Sequence, residues 1–320
     1  MSMTRRNFLH AGSAVGALWL TGMLAGCASA TPYATTVAPG VTRLSLGKAT
    51  VTMLSDGYVM RNLDANFVRN AALTDVQTAL REAGLPADKL EVPYNPLVVD
   101  IGGQRVLFDA GNGEFGAATA GKLMENMRAA GIAPESITAV VLSHFHGDHI
   151  NGLRNKAGTL VFPNARVFVP TPEWNYWMDD ARMATAPDAM KGAFNACRRV
   201  FAPIAGSVVK FEPGSEVLPG IRSVAAYGHT PGHTVFLIDG GDRQLLYWAD
   251  TTNVAALFVR NPDWAVMFDM DAEAARATRR KLADWAIRDK LLVAGYHLPG
   301  PAVGTLAVRG KGYEFTPLAP

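Results

Sequence analysis

The 320-residue chain is 49% hydrophobic and 18% charged, a balance that supports a large buried core and excludes disordered and collagen-like polypeptides. Its formal charge of +2 traces to Arg5 and Arg6: residues 1–30 hold no acid, so the remainder carries 28 basic and 28 acidic residues. A neutral body offers no electrostatic footprint for phosphate backbones, and nucleic acid is therefore not an expected partner.

Residues 1–30 read as an address. TRRNFLH precedes an apolar, Gly/Ala-rich stretch over 11–26 and then Ala28-Ser29-Ala30. A basic region, a short apolar region and a small-residue cleavage site describe a secretory signal, and the paired arginines point to the twin-arginine export machinery. The apolar stretch falls short of the ~20 residues that a membrane-spanning helix needs. Leu24-Ala25-Gly26-Cys27 also reads as a lipobox, which would make Cys27 a lipidated first residue. The expected location is periplasmic or secreted, with lipid anchoring at Cys27 as the alternative. Cys197 is the other cysteine of the chain, so a processed chain lacking Cys27 can form no internal disulfide.

A polar, Pro-containing linker is expected over 31–40, and one domain over 41–320. VTRLSLGKATVTMLSDG predicts a β-hairpin. NPLVVD (95–100) and RVLFD (105–109) predict buried strands joined at Gly102-Gly103, a hairpin turn signal. Arg69, in DANFVRN, reads as a solvated arginine. A helix is predicted over 122–130. ITAVVLS (137–143) is a β-branched strand running into SHFHGDHING, and further strands are predicted at 165–169 and 208–211.

A second cycle follows, in which GHTPGH (228–233) leads into TVFLID, Gly240-Gly241 and RQLLYWAD. GGQRVLFDAG (102–111) and GGDRQLLYWAD (240–250) share a turn, an apolar strand and a terminal aspartate, a weak internal repeat implying two similar halves. Residues 272–290 have the period of an amphipathic helix, with Ala275, Leu282, Trp285 and Ala286 facing inward, and LLVAGYH is a strand ending at His297. Two alternating cycles predict an α/β fold of two facing sheets with helices outside.

The chain has seven histidines, and three of them fall with Asp148 in HFHGDH. On a helix His144 and His146 would lie about 200° apart, whereas helical metal sites use i, i+3 or i, i+4 spacing. A loop at a strand's C-terminal end, turned at Gly147, lets His144, His146, Asp148 and His149 converge. Once distant ligands join, four donors exceed one ion's share, so a two-metal site is the natural outcome. His229 and His297 each lie beside a strand end or turn where such a site could gather them.

HFHGDH, GHTPGH, an Asp ending one strand and a His ending another resemble the motifs of the metallo-β-lactamase superfamily of binuclear hydrolases, over roughly 41–320. The resemblance implies a four-layer αβ/βα sandwich of two mixed sheets with helices outside. It implies that His144, His146 and His229 hold one divalent ion, that Asp148, His149 and His297 hold the other, and that Asp250 bridges them. His233 and Asp109 are then supporting residues that orient ligands. Imidazole and carboxylate donors without thiolates suit zinc that must keep a water bound, with manganese, iron or cobalt also able to occupy the set. The implied chemistry is hydrolysis, with Asp148 or Asp250 shuttling a proton.

Among branches, Asp250 fills the bridging place that true β-lactamases generally leave without a carboxylate. Only 23 residues follow His297, too few for the glutathione-binding helical region of glyoxalase II. Ribonuclease Z relatives need a basic surface. DTTNVAA (250–256), HLPGPAVG (297–304) and GKGYEF (310–315) resemble methyl parathion hydrolase and its lactonase relatives, implying hydrolysis of small, largely uncharged lactones, esters or phosphotriesters. Asn253 stands where quorum-quenching lactonases often carry Tyr, which argues against acyl-homoserine lactone specificity. The alternative activities are a thioesterase and a non-catalytic metal-binding protein. Phe115, Trp174, Trp177, Phe194 and Asn253 are the expected pocket residues, with the aromatics of PTPEWNYW placed in an irregular segment and Met178, Met183 and Met190 adding adaptable surface. A homodimer is compatible with the sequence but not specified by it.

Overall fold

The computed structural model describes residues 34–319. The expected export signal over 1–30 and the lipidation alternative at Cys27 lie outside the described residues. The expected linker is not irregular throughout: Ala34–Ala38 form an edge strand, β1, paired antiparallel to β2 (Val41–Leu46).

β3 (Ala49–Leu54) completes the predicted hairpin, and β4 (Tyr58–Asn62) and β5 (Lys89–Pro93) form a separate two-stranded ribbon flanking α1 (Leu73–Glu82). β6 (Leu97–Ile101) and β7 (Gln104–Phe108) are the strands predicted around Gly102-Gly103, followed by α2 (Leu123–Ala129), β8 (Ala139–Val141), α3 (Gly147–Ile150) and β9 (Arg166–Pro170). Three helices come next, α4 (Thr171–Trp177), α5 (Asp180–Thr185) and α6 (Asp188–Phe201), then β10 (Val209–Phe211). The second half comprises β11 (Glu216–Leu218), β12 (Ile221–Ala225), β13 (Thr234–Asp239), β14 (Gln244–Tyr247), α7 (Ala255–Phe258), α8 (Ala272–Arg288), β15 (Leu292–Ala294), β16 (Val303–Arg309) and β17 (Gly312–Pro317).

An eight-stranded mixed sheet runs β1-β2-β3-β6-β7-β8-β9-β10, and a seven-stranded mixed sheet runs β11 to β17 in chain order. Alternation along the central strands shows why they stack. Leu97, Val99, Val106, Phe108 and Val141 of the first sheet join Phe236, Leu246 and Val293 of the second in one core. Their neighbours Val98, Leu107 and Val140 turn to the opposite face, where Leu123 and Met127 of α2 and Val200 and Phe201 of α6 cover them. Strands buried on both faces have no polar side to keep, and so read as continuous apolar runs. On the other flank α8 packs on β16, so the layers run helix, sheet, sheet, helix. The chain thus has the αβ/βα arrangement expected from its two cycles.

The internal repeat has a structural counterpart. β6 and β7 form an antiparallel pair with β8 added parallel to β7, and β13 and β14 form an antiparallel pair with β15 added parallel to β14. Each repeat ends in a left-handed non-glycine residue, Asp109 (φ 58) after β7 and Ala249 (φ 43) before Asp250, which throws the chain sharply off the sheet edge at strained backbone positions. α8 begins at Asp271, whose carboxylate accepts the Glu273 and Ala274 amides as an N-cap, and buries Ala275, Leu282 and Ala286 as predicted, with Trp285 partly covered.

Candidate metal centre

Seven donor side chains emerge from strand ends of both halves. β8 runs into Ser143 and the HFHGDH loop; His146 caps α3, so Gly147 opens a helical turn that brings Asp148 and His149 round to the side of His144. His229 follows β12, Asp250 follows β14 and His297 follows β15. The parallel pairs β7-β8 and β14-β15 put their C-terminal ends at one edge, where loops converge. In GHTPGH, Gly228 lies at φ 126 with its Cα against the Ala275 backbone of α8, so only glycine permits the turn that delivers His229.

The donors form two sets sharing one carboxylate: His144, His146, His229 and Asp250, and Asp148, His149, His297 and Asp250, the atoms within each set lying within 4.8 Å of one another. In the first, His146 Nδ1 is 3.0 Å from both His144 Nε2 and His229 Nε2, and Asp250 Oδ2 lies 3.2 Å from His229 Nε2. In the second, Asp250 Oδ1 is 3.2 Å from His149 Nε2, Asp250 Oδ2 is 3.0 Å from His297 Nε2, and Asp148 Oδ2 is 3.5 and 3.6 Å from the two Nε2 atoms. His149 Nε2 and Asp250 Oδ1 are buried without a hydrogen-bond partner. Orphaned acceptors of this kind, aimed at a common point, are costly unless a cation collects them.

The tautomers agree with that assignment. His149 Nδ1–H donates to Asp109 Oδ2 at 2.9 Å, His229 Nδ1–H to Asp269 Oδ1 at 3.0 Å and His297 Nδ1–H to the Pro93 carbonyl at 2.8 Å. Ser143 Oγ spends its proton on Asp109 Oδ2 at 2.8 Å, and so accepts His144 Nδ1–H at 3.0 Å. Each of these four rings, when neutral, is left with an Nε2 lone pair turned inward, the form a metal requires. Asp109 is fully buried and also accepts the Ser143 amide and the Tyr247 hydroxyl, so one carboxylate steadies a ligand of each set.

His233 is differently committed. Its Nδ1–H donates to the Ala226 carbonyl at 2.9 Å, and its Nε2 accepts the Asp250 amide at 3.1 Å. With both nitrogens engaged it positions Asp250 and has no lone pair to offer an ion.

The electrostatics divide the rings. Burial, reinforced by neighbouring imidazoles, pulls His146 down to about 3 and His233 to about 4, and holds His144 well below its ordinary value. Burial also works against protonated His229, but its bonds to Asp250 and Asp269 raise it to about 9. Burial pushes the Asp148 carboxyl up, yet attraction to His149 and His297 outweighs it and brings it to about 2. Carboxylates stay ionised here, and two buried imidazoles are already neutral.

Several supports carried no ligand-like spacing in the sequence. Asp269, Ser143 and Tyr247 orient donors as described. Glu173 of α4 accepts the Phe145 amide at 2.9 Å, the Gly232 amide at 2.6 Å and the Trp177 indole at 2.9 Å, joining both histidine loops. Tyr296 lays its ring 3.9 Å from that of His149 and donates its hydroxyl to the Asp148 carbonyl.

The expected aromatic pocket needs correction. PTPEWNYW is a helix with Pro172 in its first turn, not an irregular segment. Trp177 and Phe194 are buried in the core beneath α4 and α6, and Trp174 packs on Phe201 with Lys210 over its ring. Met178, Met183 and Met190 pack against the same core. Trp177 reaches the centre only from behind, 6.3 Å from the His146 ring. Phe115 is partly exposed beneath the Arg199 guanidinium, and Asn253 is buried, accepting the Val254 amide. Arg69 is not merely solvated, since its guanidinium holds the Met267 and Asp269 carbonyls. The large cavity instead lies beyond His297, about 1290 Å³ in volume, between α1, β5, α7 and the β16-β17 hairpin, with Leu80, Leu90, Val254 and Phe315 in its walls.

The sequence profile described as the metallo-beta-lactamase superfamily matches residues 91–289. Among solved structures, AidC, a dizinc quorum-quenching lactonase captured with its product, superposes with a TM-score of 0.82 at 28% identity, over 87% of this chain and 97% of that one. The hydrolase AbOPH of the β-lactamase superfamily gives 0.81 at 26%, over 88% and 98%. A probable metal-dependent hydrolase from Staphylococcus aureus gives 0.71 at 18%, over 86% and 98%, a likeness of fold. No curated protein sequence matches the chain.

Proposed function

The chain belongs to the metallo-β-lactamase superfamily and is a metallo-hydrolase by homology, and from that premise we propose that it is a binuclear hydrolase opening lactones or cleaving esters and phosphotriesters of small, largely uncharged substrates. The observation that carries the reading is Asp250, which presents one oxygen to His149 and the other to His229 and His297, and so belongs to both donor sets. A mononuclear site has no use for a second cluster of three donors around the same carboxylate.

His144, His146 and His229 would hold one divalent ion and Asp148, His149 and His297 the other, with zinc favoured by the donor chemistry and by the dizinc lactonase of similar structure. A bound pair supplies Lewis acidity and lowers the pKa of water toward neutrality. The chain's own groups do the rest. Asp109, Asp269 and the Pro93 carbonyl fix the imidazole planes, so no reorganisation is needed as charge develops. Asp148, at 23% side-chain exposure, is the most open of the carboxylates here and can pass a proton to the departing oxygen. The cavity beside His297 gives the rest of the substrate an apolar wall. Lactones head the substrate classes because of the 28% identical lactonase.

Metal analysis with a panel of γ-lactones, p-nitrophenyl esters, thioesters and paraoxon tests this. Two ions per chain and fastest turnover of lactones are expected. A loaded protein that turns over nothing would sink the hydrolase reading, and a single ion at saturation would sink the binuclear one.

A further inference from the structure

We propose that Arg279 is a positioning residue that couples the two metal sites, by closing the segment between the shared carboxylate Asp250 and the carboxylate Asp269 behind His229. The proposal rests on the two-metal reading. Arg279 sits on the face of α8 that also buries Ala275, Leu282, Ala283 and Ala286, and is 1% exposed. A guanidinium in such a place is destabilising unless its donors are met.

They are met by one stretch of chain. Nε donates to the Thr251 carbonyl at 2.8 Å, Nη1 to the Pro262 and Trp264 carbonyls at 2.9 and 2.7 Å, and Nη2 to Asp269 Oδ2 at 3.4 Å. Thr251 directly follows Asp250, and the other oxygen of Asp269 accepts His229 Nδ1–H. One planar group therefore fixes both ends of 251–269. At one end it sets where the bridging carboxylate begins, and at the other how the His229 ring is turned. From the opposite side Arg69 holds the Met267 and Asp269 carbonyls, leaving the Asp269 side chain to be placed by Arg279 and His229 alone. The four acceptors surround the fork geometry of arginine; a lysine ammonium, with three donors on one point, cannot reach them together.

The test is titration of the apo full chain with zinc and with cobalt, comparing wild type, Arg279→Lys, Asp269→Asn, the double variant, and Leu282→Ala as a control one turn along α8. Arg279→Lys and Asp269→Asn should each weaken one of two ions by about 10- to 100-fold and shift the cobalt absorption bands. The double variant should be no worse than the weaker single, because both act through one carboxylate. Leu282→Ala should lower the Tm and leave metal affinity unchanged. Arg279→Lys binding two ions as wild type does overturns the proposal, as does Leu282→Ala losing as much metal. Should Arg279→Lys fail to fold, wild-type affinity in Asp269→Asn overturns it equally. Wild type that takes up fewer than two ions overturns the two-metal reading instead.

Discussion

Asp250 and His233 meet through the Asp250 amide, yet their side chains do different work, and substitution should separate them. Asp250→Asn replaces an oxygen that faces His149 with an amide that cannot bridge two cations. Turnover should fall by about 10²- to 10³-fold, the cost of losing one electrostatic group aimed at reacting atoms, and bound metal should drop below two ions per chain. His233→Ala removes only the acceptor of the Asp250 amide. Leaving that buried N–H unpaired costs about 1–3 kcal/mol of stability, while most metal should remain. Atomic absorption on the two purified variants decides it: equal depletion would mean that His233 is a ligand. The donor residues could be read from the sequence because their chemistry admits few residue types and their loop needs a particular spacing. Asp269, Arg279 and Glu173 could not, since an orienting acceptor can be any carboxylate that folding brings near. Asp269 reaches His229 from 40 positions away, in a run, VMFDMD, that looks like any loop.

The central strands were legible for a related reason: burial on both faces leaves an uninterrupted apolar run, as in ITAVVLS, whose observed core is Ala139–Val141. The strand β1 was not, because a five-residue edge strand of ATTVA composition carries little more signal than a linker. α4 misled through its opening proline, which breaks a helix interior but suits a first turn. That helix also carries an element-level consequence. Glu173 accepts amides from Phe145, between His144 and His146, and from Gly232, beside His233, so α4 ties together two loops that neither sheet joins directly. Gly232 has no room for a Cβ, which would fall 2.4 Å from the Glu173 nitrogen, so the loop and the helix pack backbone to backbone. Glu173→Ala strands two buried N–H groups and the Trp177 indole. Unfolding in urea should show a loss of about 3 kcal/mol or more, each unmet donor costing about 1–3 kcal/mol. A loss below 1 kcal/mol would show that water or a shifted side chain replaces the carboxylate.

At the scale of the molecule, the donors divide between the halves that the internal repeat announces. His144, His146, Asp148 and His149 follow β8 of the first sheet, whereas His229, Asp250 and His297 follow β12, β14 and β15 of the second. Each donor set draws from both, so ions bound there would cross-link the edges of two sheets otherwise held by apolar contact across one core. Metal that binds the folded chain and not the unfolded one stabilises by mass action, about 4.1 kcal/mol per site when free ion stands at a thousand times its Kd. At about 2 °C per kcal/mol for a chain of this size, filling one site should raise the Tm by on the order of 8 °C. Scanning calorimetry after exhaustive chelation, and again after zinc is restored, measures it. His144→Ala should show a smaller zinc-dependent rise than wild type, because only the second set stays complete. A Tm that chelation leaves unchanged would mean that the two halves need no ion between them, and that the donors meet at this edge without sharing one.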